Sequence, residues 1–292
     1  MVKADAYGAG ALETGRTLQE CNADYLAVAV ADEGAELRKE GIITGIIVMN
    51  PEPCSYRTLF DNKLEPEVYS FGMLDSLIKA ACREGITDYP VHIKIDTGMH
   101  RLGFLSDDIE PLIARIKDND SIRIRSIFSH LAGSDSSEFD DYTIRQIECF
   151  EDMSNRIISA FPYKILRHIL NSAGISRFTE YQYDMVRLGI GLYGISACKE
   201  DKVSTVISLK STIVQIKEYE IGETVGYSRK AVLSRKSRIG VIPIGYADGL
   251  KRQLGNGVGC FYVNGKAAPI IGNICMDMCM IDLTDIECKE ED

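Results

Sequence analysis

Chemistry in this chain starts at Lys3. It stands in VKADAYGAG, with Tyr7 four positions on and Gly8 and Gly10 beyond. A lysine at the end of a buried strand is desolvated, which disfavours its charged form and leaves a free amine for Schiff-base chemistry. Taken alone, the plainer reading is a strand-end lysine whose head reaches water. Other candidates follow: Arg101 in DTGMHRLGF, His130 in FSHLAGSD, Asn171 and Ser172 in LNSAG, and Arg187, Gly189 and Ile190 in MVRLGIG. Singly, the histidine is a satisfied core residue and Arg187 a structural ion pair. Together they supply an amine, an imidazole, two guanidiniums and a small-residue phosphate site. That set suits an aldehyde cofactor with a phosphate tail, held as a Schiff base on Lys3.

These residues need a scaffold that brings them to one rim. Short apolar runs read as strands at MVKADAY (1–7), YLAVAV (25–30), GIIVMN (45–50), PEVYS (66–70), VHIKID (91–96), RIRSIFSH (123–130), ILRHIL (165–170) and MVRLGIG (185–191). Helical periodicity fills the gaps. In SDDIEPLIARIKDND, Ile109, Leu112, Ile113 and Ile116 share a face, Asp107 or Asp108 suits the N-cap, and Pro111 falls in the first turn. In FGMLDSLIKAACREG, Leu74, Leu77, Ile78 and Ala81 repeat the pattern and Gly85 stops it. Alternating units of this kind predict an α/β fold closed as a (β/α)8 TIM barrel, with the site at the C-terminal ends of the strands. From about residue 203 the chain turns to β-branched runs, and Asn264-Gly265 signals a hairpin. The expected domains are a cofactor-binding barrel over 1–202 and a C-terminal all-β domain over 203–292. The second is expected to be incomplete, because ECKEED leads to no closing strand.

Composition removes several alternatives. A net charge of −10 without a basic run argues against a nucleic-acid partner. No apolar run is long enough to span a bilayer, so no membrane partner is expected. Nine scattered cysteines suit a reducing cytoplasm better than a disulfide framework. Cys275 and Cys279, four apart in ICMDMCMIDL, read as small core residues on one face of a strand. With four unpaired histidines, no metal site is expected. GIGLYG (189–194) matches a dinucleotide fingerprint in letters, but a polar loop follows it where a helix should open.

In this order, VKADAYGAG, HIKIDTGMHRLGF, FSHLAGSD, LNSAG, MVRLGIGLYG, VGYSRK, PIGYADG and GNICMD resemble the signature blocks of the alanine racemases. The resemblance implies a barrel that binds pyridoxal 5′-phosphate, a C-terminal β domain, and a homodimer that interconverts L- and D-alanine for peptidoglycan. It makes Lys3 the cofactor lysine and the base on one face of the substrate. Tyr227 becomes the base on the other face, reaching across the dimer interface and bonded by His130, with Arg187 behind. It also has Arg187 donate to the pyridine nitrogen, and Arg101 hold the cofactor's phenolic oxygen and the substrate carboxylate. Lys94 is the position carbamylated in several members to orient that arginine. Tyr7, Asn171, Ser172, Gly189 and Ile190 would hold the cofactor, and Met276 would offer its backbone N–H to the substrate across the interface.

The chain departs from the pattern in places. Ala9 replaces a histidine, Asn273 stands where many members have arginine, and both ends look clipped, as in a fragment. YGAG and LAVAVADEGAELRKEGI resemble the racemase half of a fusion whose N-terminal part is a peptidoglycan ligase of the MurF type. Racemases for serine or other amino acids share the scaffold. A non-catalytic pyridoxal-phosphate-binding protein shares the strand-end lysine but not VGYSRK or GNICMD.

Overall fold

The computed structural model describes residues 1–196, 198 and 203–292, so the expected boundary residue 202 lies outside the described residues. The chain divides into two compact units, Met1–Ile207 and Ser208–Asp292.

In the first unit, helices alternate with a parallel sheet. The strands are β1 (Tyr25–Val28), β2 (Gly45–Val48), β3 (Glu65–Val68), β4 (Tyr89–Lys94), β5 (Ile122–Phe128) and β6 (Leu166–His168), neighbours in that order. The helices are α1 (Lys3–Gly8), α2 (Ala11–Glu20), α3 (Ala31–Lys39), α4 (Tyr56–Asp61), α5 (Phe71–Arg83), α6 (Ile109–Lys117), α7 (Asp140–Ser159) and α8 (Ser172–Arg177). Strands buried on both faces read as apolar runs, and Ile46, Val48, Val91 and Ile93 have no appreciable exposure. Helix α5 follows its sequence signals closely. The Ser70 hydroxyl accepts from the Met73 N–H, Leu74, Leu77 and Ala81 are buried, and Gly85 ends the helix at φ +66°. Each leucine buried in this way contributes about 2 kcal/mol.

Six of the expected strands form and two do not. Stretches 1–7 and 185–191 are not strands, although each touches its neighbour once or twice. The Val2 N–H donates to Ala27 O at 2.9 Å, the Arg187 N–H to Leu170 O at 3.0 Å, and the Met1 nitrogen to Leu188 O at 2.9 Å. The ring therefore closes through single bonds. The reason lies in α1. Ala4, Asp5, Ala6 and Tyr7 have φ of 53°, 51°, 52° and 59°, which coils the chain left-handed straight after Lys3 and ends pairing there.

The second unit is antiparallel. Its strands are β7 (Gln215–Tyr219), β8 (Thr224–Val225), β9 (Ala231–Val232), β10 (Ser237–Ile242), β11 (Cys260–Val263), β12 (Lys266–Ile271) and β13 (Cys279–Asp282). One sheet runs β11-β12-β13-β10-β7, and β8 pairs with β9. Asn264 at φ 51° and Gly265 at φ 76° make the tight turn between β11 and β12 that the sequence signalled. Ile242, Ile270, Ile281 and Leu283 form its core. Two expectations are corrected here. The β-branched run after 203 is a strand only from Gln215, since Val206 and Leu209 point into solvent. Cys275 lies outside β13, in a turn where its N–H donates to Met278 O at 2.8 Å, so only Cys279 is a buried strand residue.

Candidate active site

Helix α1 is the local device that places Lys3 and Tyr7. Four L-residues in left-handed conformation cost about 1–2 kcal/mol each, so other contacts must hold them. They are present. The Ala4 N–H donates to Glu33 Oε1 at 2.7 Å, the Ala6 N–H to Val2 O at 2.9 Å, and Asp5 Oδ1 accepts from the Ala11 N–H at 2.7 Å. Asp5 thereby caps the start of α2. The Tyr7 ring stacks on Tyr193 at 4.8 Å, and the Tyr193 hydroxyl donates to Met1 O at 2.8 Å.

Lys3 and Tyr7 line a cavity of about 570 Å³ at the C-terminal ends of the strands, together with Lys94, Arg101, His130, Asn171, Ser172, Arg187, Gly189 and Ile190. Every candidate that the sequence placed in the first unit is in it. At one side Ser172 Oγ accepts from the N–H groups of Gly189 at 2.9 Å and Gly191 at 3.1 Å. A Cβ at Gly189 would sit 3.5 Å from the Tyr7 hydroxyl and 3.6 Å from Ser172 Oγ. Glycine thus keeps open a cradle between two hydroxyls, of a kind an anionic oxygen fills well. Asn171 supports it by capping α8, its Oδ1 accepting from the Gly174 N–H at 2.9 Å.

Arg187 is the most heavily tied side chain. Its Nη1 donates to His168 Nδ1 at 2.8 Å and His168 O at 3.1 Å. Its Nη2 reaches Ser129 O at 2.6 Å, Ile169 O at 3.1 Å and His130 Nδ1 at 3.3 Å. The four Nη hydrogens are therefore all engaged. The Nε–H alone has no acceptor among the described residues, and it belongs to a residue that lines the cavity. Burial lowers the Arg187 pKa to about 10, against an opposing pull from Glu67. His130 is pushed down to about 3, by burial first and then by Arg187, Arg101, Lys94 and Lys3. It is a neutral imidazole across the physiological range, with Nδ1 accepting and Nε2–H left to donate.

The sequence reading passed over Glu67. It lies in β3 with no exposure, and Oε1 accepts from Lys94 Nζ at 2.9 Å. Oε2 is buried with no partner among the described residues. Burial raises its pKa, and Lys94, then Arg187 and Arg101, pull it back. A glutamate inside an apolar strand run was the available signal. This pair bears on carbamylation: a carboxyl group on Lys94 Nζ would remove the ammonium charge that faces Glu67 and set a second negative charge beside a buried carboxylate.

Tyr227 and Met276 belong to the second unit. Tyr227 opens a turn in which Gly226, Ser228 and Arg229 have φ of 77°, 63° and 49°, and its side chain is 69% exposed. Asn273, which replaces the family's arginine, donates from Nδ2 to Tyr227 O at 2.9 Å and so fixes that turn. Met276 is also exposed, and its carbonyl accepts from the Ala247 N–H at 2.8 Å.

A rim cavity with an amine, a two-hydroxyl cradle and a buried guanidinium that keeps one donor free has the lining to hold an anionic ligand beside a lysine, in a barrel-type fold. A family model described as the alanine racemase N-terminal domain matches residues 1–197, and one described as the C-terminal domain matches 206–292. Alanine racemase 1 of Clostridium acetobutylicum is 40% identical over 98% of this chain and 75% of its own length. Among solved structures, alanine racemase of Clostridium difficile 630 superposes with a TM-score of 0.91 at 33% identity, covering 100% of this chain and 77% of that one. Alanine racemase of Bartonella henselae with covalently bound pyridoxal phosphate gives 0.84 at 27%, covering 99% and 80%. The chain belongs to the alanine racemase family and is an amino-acid racemase.

Proposed function

We propose that this chain interconverts L- and D-alanine by moving the Cα proton between Lys3 on one face of the substrate and Tyr227 on the other, with pyridoxal 5′-phosphate as cofactor. The carrying observation is the joint placement of Lys3, the Arg187 Nε–H and the Tyr7–Gly189–Ser172 cradle on one cavity. Those features fit an aldehyde, a ring nitrogen and a phosphate. Held there, the cofactor would supply an electron-withdrawing ring that weakens the substrate's Cα–H bond.

The residues then divide the work. The hydroxyls of Tyr7 and Ser172 and the backbone at Gly189 and Ile190 hold the phosphate, with Asn171 fixing Ser172 through its cap. The Arg187 Nε–H would donate to the ring nitrogen without giving up its proton, which would keep that nitrogen unprotonated and favour racemisation over side reactions. Arg101, whose planar fork suits a carboxylate, orients the substrate. Lys94 and Glu67 set the charge beside it. Lys3 Nζ takes or returns the Cα proton on its face.

Tyr227 does so on the opposite face, supplied by a second copy of the chain in a homodimer, with the Met276 backbone N–H on the substrate carboxylate. A phenol near pKa 10 is a weak base at neutral pH, and a hydrogen bond from His130 Nε2–H to its oxygen favours the deprotonated form. No helix among the described residues is long and apolar enough to cross a membrane. With the scattered cysteines, that supports a cytoplasmic setting.

The test is loss of optical rotation by L-alanine, with L-serine as competitor, read beside the visible absorption of protein mixed with the cofactor. Rotation lost with alanine and a band that Lys3→Ala removes is the expected result. No band in folded protein would overturn the cofactor assignment.

A further inference from the structure

Beneath the cavity an unbroken polar chain crosses the parallel sheet. Glu65 Oε2 lies 2.9 Å from His92 Nε2, and His92 Nδ1 is 2.6 Å from Ser126 Oγ. Ser126 Oγ is 2.9 Å from His168 Nε2, and His168 Nδ1 is 2.8 Å from Arg187 Nη1. His92, Ser126 and His168 have at most 1% exposure, so water does not complete these bonds. The strand register builds the chain, since His92 in β4 stands opposite Ser126 in β5, and Phe128 opposite His168 in β6.

Donor and acceptor chemistry gives this chain one direction. A guanidinium only donates, so His168 Nδ1 must be bare and its single hydrogen sits on Nε2. That hydrogen occupies Ser126 Oγ, and the serine's own hydrogen goes to His92 Nδ1. The His92 hydrogen is then on Nε2, aimed at Glu65, which only accepts. The far end agrees: the Tyr25 hydroxyl donates to the same Glu65 oxygen at 3.4 Å, while Arg125 Nε donates to Tyr25 at 2.8 Å. Phe128, stacked on His168 at 4.9 Å and 4°, holds the ring in plane.

We propose that Glu65, His92 and Ser126 are positioning residues for Arg187, acting as a one-way relay that locks His168 in its Nε2–H tautomer. The other tautomer would set an N–H against an N–H and turn the guanidinium. His130 Nδ1 would lose its donor, and the free Nε–H would leave its aim. This goes beyond the roles assigned above and rests on the racemase reading only for its kinetic consequence.

The experiment is long-range proton–nitrogen NMR on protein labelled with ¹⁵N-histidine, with and without cofactor. The chain has four histidines, so His100→Gln and His130→Asn assign two of them and His92→Gln separates His92 from His168. His168 and His92 are expected to carry hydrogen on Nε2 alone. Ser126→Ala should let His168 populate the Nδ1–H form and lower kcat for alanine about tenfold, with KM changed by less than about twofold. Glu65→Gln, at the partly solvated end, serves if Ser126→Ala does not fold. Its amide presents either an acceptor or a donor, so mixed tautomers are expected. The relay is overturned if His168 in unmutated protein carries hydrogen on Nδ1, or if both variants leave tautomers and kcat unchanged. The expected spectrum without racemisation would uphold the relay and sink the function reading.

Discussion

The two proton carriers of this reading both sit beside backbone at positive φ, but they are embedded differently. Lys3 precedes a left-handed turn whose first amide is caught by Glu33, whose Asp5 carboxylate accepts from the Ala11 N–H, and whose end is pinned by the Tyr7–Tyr193 stack. Tyr227 precedes Ser228 and Arg229 in a turn held by Asn273, yet its ring is 69% exposed. One site is finished within its own unit. The other carries a shaped turn and an uncovered side chain, which a second copy of the chain would cover. Strain near a functional residue therefore does not by itself make a site. What surrounds the strained turn decides whether the residue is held for use at home or presented elsewhere.

The strongest way to break this contrast is to inactivate each carrier and mix the products. Lys3→Ala and Tyr227→Phe should each lower racemisation by roughly 10²–10⁴-fold, the usual scale for a lost acid–base group. If Tyr227 serves the other copy, a re-associated mixture contains dimers with one intact site, and roughly a quarter of the activity returns. No recovery from well-folded, exchanging subunits would place both carriers on one copy. Gly189→Ala is the next effect in size. Its methyl would fill the cradle between Tyr7 and Ser172, so cofactor titration should show roughly tenfold weaker binding. Unchanged affinity would move the phosphate elsewhere.

Mild acid separates the two units in another way, because all four histidines precede residue 208. His130 is near 3 when folded and close to 6.5 when unfolded. Between those values the unfolded chain binds a proton that the folded chain refuses. Its contribution is complete above about pH 6.5 and is lost as pH falls toward 3. His168 acts in the same direction. The first unit should therefore lose stability on acidification, and His130→Asn should flatten that slope in chemical unfolding. An unaltered slope would mean that His130 is already protonated in the fold.

These contrasts were only partly legible beforehand. Local signals with a direct physical cause were readable, such as the Ser70 cap, the Gly85 stop and the Asn264-Gly265 turn. So was the gathering of Lys3, His130 and Arg187 on one rim, although only His130 follows a strand that forms, and the stretches carrying Lys3 and Arg187 keep their places through single backbone bonds. The turn after Lys3 was not readable: Ala4, Asp5, Ala6 and Tyr7 contain no glycine, and the contacts that hold them include Glu33 and Tyr193, residues far along the chain. His92 and His168 are satisfied core histidines. Their direction emerges only when a serine from a third strand lies between them.

The smallest expected effect sharpens the opening contrast most directly. Ala4 and Ser228 both hold left-handed backbone, with φ of 53° and 63°. Glycine relieves that strain but makes the unfolded chain more flexible, so Ala4→Gly and Ser228→Gly should each stabilise by about 0.5–1 kcal/mol net. Thermal unfolding measures both. The functional readouts should then diverge. Ala4 adjoins Lys3 in a turn over-determined by Glu33 and Asp5, so relief there should leave cofactor binding unchanged. Ser228 adjoins Tyr227, whose turn has fewer ties, so added freedom there should lower kcat about threefold through lost orientation. Equal kinetic effects at the two positions would mean that exposure does not distinguish the turns. Destabilisation by either glycine would mean that the positive φ at that position carries no strain to relieve.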